Sequence, residues 1–247
     1  MATMAERVWE AAGPTVIQKW NENPNYELIL TGHSLGAGTA CLLNIMLHRR
    51  RRPEATLYDR PPKGNIRCFA YASPPVFTPL EVIPNAVSST TNYIHQQDAV
   101  PFLSVDSIRR CVSCLRVIDG FPLSTFRRFQ ILWGRSPPPD DLIQAVQRAQ
   151  REPLIPKKGA PVLAIPAATS LWMKKVDPKS DHYVMEKWDP KQLSTWGIRF
   201  DNTMLSDHFP SRYEHALDRI RNEDFSHGGY SKTNTTPYRS VSENENK

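Results

Sequence analysis

The stretch Leu28-Ile29-Leu30-Thr31-Gly32-His33-Ser34-Leu35-Gly36-Ala37-Gly38-Thr39-Ala40-Cys41-Leu42-Leu43 predicts a strand, a tight turn that carries a serine, and a helix. The apolar run Tyr26 to Leu30 feeds the turn as a fully buried strand, and the small residues Gly36, Ala37, Gly38 and Ala40 lead out of it as a helix. Gly32-His33-Ser34-Leu35-Gly36 then has the form of a G-x-S-x-G nucleophile elbow, a pattern that gains meaning only between a strand and a helix. Gly32 and Gly36 have a mechanical purpose there. Without side chains, they let the helix pass close over the strand that feeds it.

Outward from the elbow, strand-like and helix-like segments alternate. A helix is expected from Glu6 to Trp20, kinked or interrupted at Gly13-Pro14. Two further buried strands are expected at Ile66 to Ala72 and Thr91 to Gln97, the second stopping at Asp98. Near-continuous apolar strands alternating with helices indicate an α/β fold, a mostly parallel sheet covered by helices. Functional groups of such sheets gather at the carboxyl ends of the strands, where Ser34 and Asp98 both sit.

Helical patterns follow at Val105 to Ile118, Ser124 to Leu132 and Asp140 to Gln150. A short strand is expected at Pro161 to Ala167, then a charged loop with Trp172, Tyr183, Trp188 and Trp196 up to Phe200. A last helix, Ser206 to Arg221, carries Phe209, Tyr213, Leu217 and Ile220 on one stripe, with Pro210 in its first turn. The expected division is a domain over 1–221 and a disordered polar tail over 222–247.

The 247 residues suffice for one large core, and 40% hydrophobic with 23% charged residues is a globular composition. The 22 prolines against 11 glycines cluster in loops. Neither a run of 18 apolar residues nor a secretory leader is present, so the expected location is intracellular, cytoplasmic or peripheral to a membrane. Of four cysteines, Cys111 and Cys114 form a C-x-x-C without the further ligands zinc requires, and all four read as buried thiols. The run Arg49 to Arg52 suits a helix carboxyl end, and secondarily an anionic lipid surface. It lacks interleaved aromatics, which argues against nucleic acid.

Serine needs a histidine to take its proton, and that histidine needs a carboxylate to orient it and stabilise its charge. The order Ser34, Asp98, His208 is the one that elbow-bearing hydrolases use. Asp98 also suits a cap of the turn Ala99-Val100-Pro101. His215, the rival to His208, points away from the apolar stripe, and Asp207 is expected to cap the helix rather than to polarise its neighbour.

Four blocks, Gly32-His-Ser-Leu-Gly-Ala-Gly-Thr-Ala40, Cys68-Phe-Ala-Tyr-Ala-Ser-Pro-Pro75, Asp98-Ala-Val-Pro101 and Asp207-His-Phe-Pro-Ser-Arg-Tyr213, together resemble the class-three lipase family of α/β-hydrolases, most of all its diacylglycerol-lipase branch. The resemblance spans Glu6 to Arg221 and is vague between Ser104 and Asn202. It implies Ser34 as nucleophile, Asp98 as orienting acid, His208 as general base and the Leu35 N–H as an oxyanion donor. It also implies an acylglycerol ester as substrate and no cofactor.

Two departures accompany it. Phe102 stands where the family has a basic residue, so an ion pair there is missing or supplied by Arg109 or Arg110. The family also has well over a hundred residues before the elbow, whereas 33 precede Ser34 here. The expectation is an N-terminally truncated copy that lacks the first strands and one oxyanion donor, a loss worth about a hundredfold to a thousandfold in rate. The elbow strand would then be an apolar edge. The alternative function is an impaired lipase-like module that acts by binding, and transfer of the acyl group to another alcohol would use the same residues.

Overall fold

The computed structural model describes residues 1–50, 65–151, 162–194, 197–198, 201–226 and 238–239. Helix α1 (Ala2–Glu22) leads into strand β1 (Leu28–His33), helix α2 (Leu35–Arg50) and strand β2 (Ile66–Tyr71). A short helix α3 (Pro84–Ser88) and strand β3 (Thr90–His95) follow, and then three helices, α4 (Val105–Gly120), α5 (Thr125–Leu132) and α6 (Asp140–Arg151). The chain continues through β4 (Thr169–Lys175), β5 (Tyr183–Trp188), α7 (Pro190–Ser194), α8 (Pro210–Ser226) and the two-residue β6 (Tyr238–Arg239).

The strands lie in sequence order, β1-β2-β3-β4-β5-β6. Pairing is parallel from β1 to β4, antiparallel between β4 and β5, and parallel again between β5 and β6. A mostly parallel sheet with helical crossovers is the α/β-hydrolase-like arrangement that the sequence predicts.

Alternation along β2 divides its side chains between two faces. Cys68 and Ala70 pack with Ala37, Ala40 and Cys41 of α2. Tyr71 faces the opposite core, where Met173 and Tyr183 meet Tyr213 and Ala216 of α8. Helix α1 closes the first face by packing Trp9 and Trp20 against Leu43 and Leu47 of α2.

Several expectations are corrected. Helix α1 runs unbroken through Pro14, and the Trp9 ring lies over Gly13, where a Cβ would come within 2.9 Å of it. Strand β1 is not fully buried: alternate residues turn outward and Ile29 is 53% exposed, while among the described residues the strand pairs with β2 alone, the edge position expected of it. Prolines 161 and 166 remove backbone donors from the expected strand between them, and its described part makes only an isolated bridge, Phe77 to Ala164. The charged, aromatic stretch after Ala167 is the hairpin β4–β5 and not a loop; Trp196 lies outside the described residues.

Helix α8 reaches Ser226, past the expected start of the polar tail, and Tyr238–Arg239 pair with β5. The rest of that tail, 227–237 and 240–247, lies outside the described residues, as do Arg51 and Arg52 and the side chain of Arg50. Cys41 and Cys68 are buried, but Cys111 and Cys114 on α4 are only half-buried.

Candidate active site

The first three parallel strands end in the same way. Ser34, Ala72 and Gln96 each follow directly on a strand, and each has positive φ, at 58, 55 and 44°. Their N–H groups extend the ladder to the next strand: Ser34 donates to Tyr71 O, Ala72 to Tyr93 O and Gln96 to Met173 O, each at 2.9 Å. That geometry is sparsely populated for a residue with a Cβ and persists only where its surroundings hold it. At β1 the enforced turn lifts a hydroxyl out of the sheet.

Gly32 makes the turn possible. A Cβ there would overlap the carbonyl of Gly36 and stand 2.7 Å from Ala37 N, so the strand and the first turn of α2 can approach only over a glycine. Gly36 carries no such restriction, since a Cβ there would meet open space. Leu35 opens α2, and its N–H is one of the amides that a helix start leaves without an intrahelical acceptor.

The turn after β3 presents Asp98, which is fully buried. A short 3-10 turn, Ser206–His208, presents the ring of His208 just before α8. His208 Nε2 lies 2.8 Å from Ser34 Oγ, and His208 Nδ1 lies 3.1 and 3.0 Å from the two carboxylate oxygens of Asp98. A carboxylate accepts only, so Nδ1 carries the proton and Nε2 accepts from the serine.

Asp98 has two more donors. Val100 N–H donates to Oδ1 at 2.8 Å, which is the turn cap read from the sequence, and Tyr213 O–H donates to Oδ2 at 2.6 Å. Burial raises the Tyr213 hydroxyl well above its usual range, and the charge of Asp98 raises it further. It therefore stays a proton donor. The sequence puts Tyr213 on the apolar stripe and in the last of the four blocks without giving it a role; the signal for that role is that a buried tyrosine needs a partner for its hydroxyl.

The same hydroxyl accepts from His95 N–H at 3.1 Å, tying β3 to α8. His95 Nδ1 in turn donates to Asp207 O at 3.1 Å. Burial holds the His95 ring below its ordinary value of 6.5, with the Asp207 backbone acting in the opposite direction. His33 packs beside His208 with ring centroids 4.7 Å apart and planes tilted by 38°, and burial, then the neighbouring His208, lowers its pKa too.

Other expectations fare differently. Asp207 does not cap α8: its Oδ2 accepts from Gln97 N–H at 3.2 Å and from the Thr203 hydroxyl at 2.7 Å, which locks the turn bearing His208 to the end of β3. His215 pairs instead with Asp181 at 2.8 Å. Phe209 leaves the expected stripe and is 60% exposed. Phe102 is buried against Trp172, while Arg110 bonds to Asp106 and Gln150 O and Arg109 is exposed on α4. Neither arginine supplies the ion pair considered for that position. Among the described residues no group of three His, Cys, Asp or Glu is placed to hold a metal.

Residues 1–107, which contain Ser34 and Asp98, match the family described as Lipase (class 3). Over those residues the chain is similar to the class 3 lipase family. Among curated relatives, diacylglycerol lipase-alpha of Rattus norvegicus is 23% identical over 219 residues, covering 79% of this chain and 19% of that protein. Secreted mono- and diacylglycerol lipase A of Penicillium cyclopium is 34% identical over 105 residues, covering 40% of this chain and 31% of that protein. The chain thus spans about a fifth to a third of the length of these relatives. Among solved structures, lipase II from Rhizopus niveus aligns with 42% of this chain and 38% of its own at 26% identity, with a TM-score of 0.35. Among the described residues no helix is long and apolar enough to cross a membrane.

Proposed function

We propose that this chain hydrolyses an acyl ester of a glycerolipid, diacylglycerol or triacylglycerol in type, through Ser34, His208 and Asp98. The observation that carries the reading is the continuous relay from Ser34 Oγ through the His208 ring to Asp98, assembled from three elements far apart in sequence. The match of residues 1–107 to the class 3 lipase family, and relatives named as diacylglycerol lipases, support the substrate class.

In this reaction Ser34 Oγ bonds to the ester carbonyl carbon as its proton passes to His208 Nε2. The carbonyl oxygen becomes an oxyanion and accepts the Leu35 N–H. As the tetrahedral intermediate collapses, the bond to the glycerol oxygen breaks and His208 returns the proton to that oxygen. Water then attacks acyl-Ser34, with His208 again taking and returning a proton, and the fatty acid leaves. Asp98 holds the Nδ1–H tautomer and stabilises the imidazolium in both halves, while Tyr213 and Val100 hold Asp98.

The test is fatty-acid release from diacylglycerol dispersed in detergent, comparing the chain with Ser34→Ala. Release that falls to the uncatalysed level on substitution is expected. Equal release by both proteins would overturn the proposal.

A further inference from the structure

Helix α4 turns Val105, Ile108, Val112 and Leu115 to solvent. Spacings of three and four residues stack them in one stripe, the pattern by which a helix ordinarily meets a core. Helix α5 repeats the device with Phe126, Phe129 and Trp133, each between 53 and 71% exposed. Among the described residues, ten of the 22 exposed large hydrophobic ones fall between Leu103 and Ile143. Between α4, α5 and α6 lies a groove of about 660 Å³ lined by side chains such as Leu123, Leu142 and Val146. Ile118 and Phe129 belong both to that lining and to the exposed set, so the groove opens on the apolar side.

The net charge of this segment is positive. Residues 104–135 hold six arginines and two aspartates, with no lysine or glutamate. Both aspartates are engaged, Asp106 with Arg110 and Asp119 with Arg128. Arg109, Arg116 and Arg135 are exposed and have no acidic partner among the described residues. Arg109 and Arg116 directly follow Ile108 and Leu115, so they flank the stripe at roughly 100° round the helix.

We infer that the exposed face of α4 and α5 docks on an anionic lipid bilayer, its apolar residues entering the interface and its arginines meeting the headgroups. Apolar side chains with flanking cations match such a surface on both counts. A second copy of the chain is the poorer fit, because a symmetric pairing would set arginines against arginines. Helix α4 begins just after the turn that carries Asp98, and Leu35, Leu205 and Phe209 are exposed beside Ser34 and His208. If the proposed hydrolysis holds, docking brings the serine end of the sheet to the lipid; the docking itself does not depend on that chemistry.

The test is flotation of the full chain with vesicles of phosphatidylcholine alone or mixed with phosphatidylserine. Binding tighter by roughly tenfold or more on the mixed vesicles is expected. Phe126→Ser with Trp133→Ser should lose binding to both, and Arg109→Glu with Arg116→Glu should lose only the phosphatidylserine advantage, with thermal melting unchanged in each. Ser34→Ala should bind as the parent does, which separates this inference from the proposed reaction. Brominated lipid in the mixed vesicles should quench the fluorescence of Trp133, and Trp133→Phe should lose that quenching. The inference is overturned if the variants melt normally and still float like the parent. It is equally overturned if brominated lipid leaves Trp133 unquenched, or if the parent ignores vesicles and self-associates through Phe126 and Trp133.

Discussion

Around Ser34 the polar side chains converge and are buried; along α4 and α5 the apolar side chains diverge into solvent. Asp98 is fully buried and takes hydrogen bonds from His208, Tyr213 and Val100, whereas Phe126 on α5 is 71% exposed. A buried carboxylate is tolerable only when its lone pairs are met, so each donor here constrains the others. An aromatic as exposed as Phe126 constrains the fold little and is free to serve contact with something outside it. The same chain therefore holds a rigid, over-determined centre and an insert whose sequence answers to another surface.

The centre should be the region where single changes matter most. Asp98→Asn keeps the volume but reverses the preferred His208 tautomer, and turnover of a soluble ester should fall about ten-thousandfold, with the melting temperature lowered as well because one of the buried donors around Asp98 then meets an NH2 group. Gly32→Ala should be worse for folding, since the added methyl overlaps Gly36. A loss of about 3 kcal/mol in urea unfolding is expected, at the upper end for an overpacked site. A small, well-tolerated effect would mean that the strand and helix are not pressed together at the elbow.

Tyr213→Phe removes one donor from Asp98 and one acceptor from His95 N–H. Stability should drop by about 1–3 kcal/mol, the range for a buried polar group left unpaired. The alkaline limit of activity should stay where it is, because Tyr213 is held protonated in the parent. At the other extreme, Phe126→Ser in the exposed insert should change unfolding free energy by less than about 0.5 kcal/mol. If it destabilised as much as Tyr213→Phe, the contrast between the two regions would fail.

Acid should act on the centre rather than the insert. His95 and His33 are both held below 6.5 by burial, so on acidification the unfolded chain takes up protons before the folded one does. Their contribution is complete above pH 6.5 and is lost as pH falls below that value toward their folded pKa values. Thermal melting across this range should show the loss, and His95→Asn, which retains a donor for Asp207 O, should make the profile shallower. An unaltered acid slope would place its origin elsewhere.

Much of this centre was legible. The elbow could be read because glycine, serine and small residues occur between an apolar run and a helical pattern, and because short-range sterics dictate the turn. Asp98 and His208 were legible through strand ends and chain order. What escaped was set by tertiary partners. Lys174 and Lys175 made β4 look like a loop, yet Lys174 pairs with Glu186 across the hairpin and lies 4.3 Å over the Trp172 ring. The apolar run of β1 marks a strand without telling which side chains turn outward, and Ile29, apolar like its neighbours, is 53% exposed. Asp207 sits at the sequence position of a cap, but the nearby Gln97 and Thr203 claim its carboxylate.

The most direct test of the centre is to react the chain with a fluorophosphonate and locate the adduct by peptide mass spectrometry. The account predicts a single adduct on Ser34, absent from Ser34→Ala and formed far more slowly in His208→Gln. An adduct on another residue, or undiminished labelling of Ser34 once His208 is replaced, would contradict it.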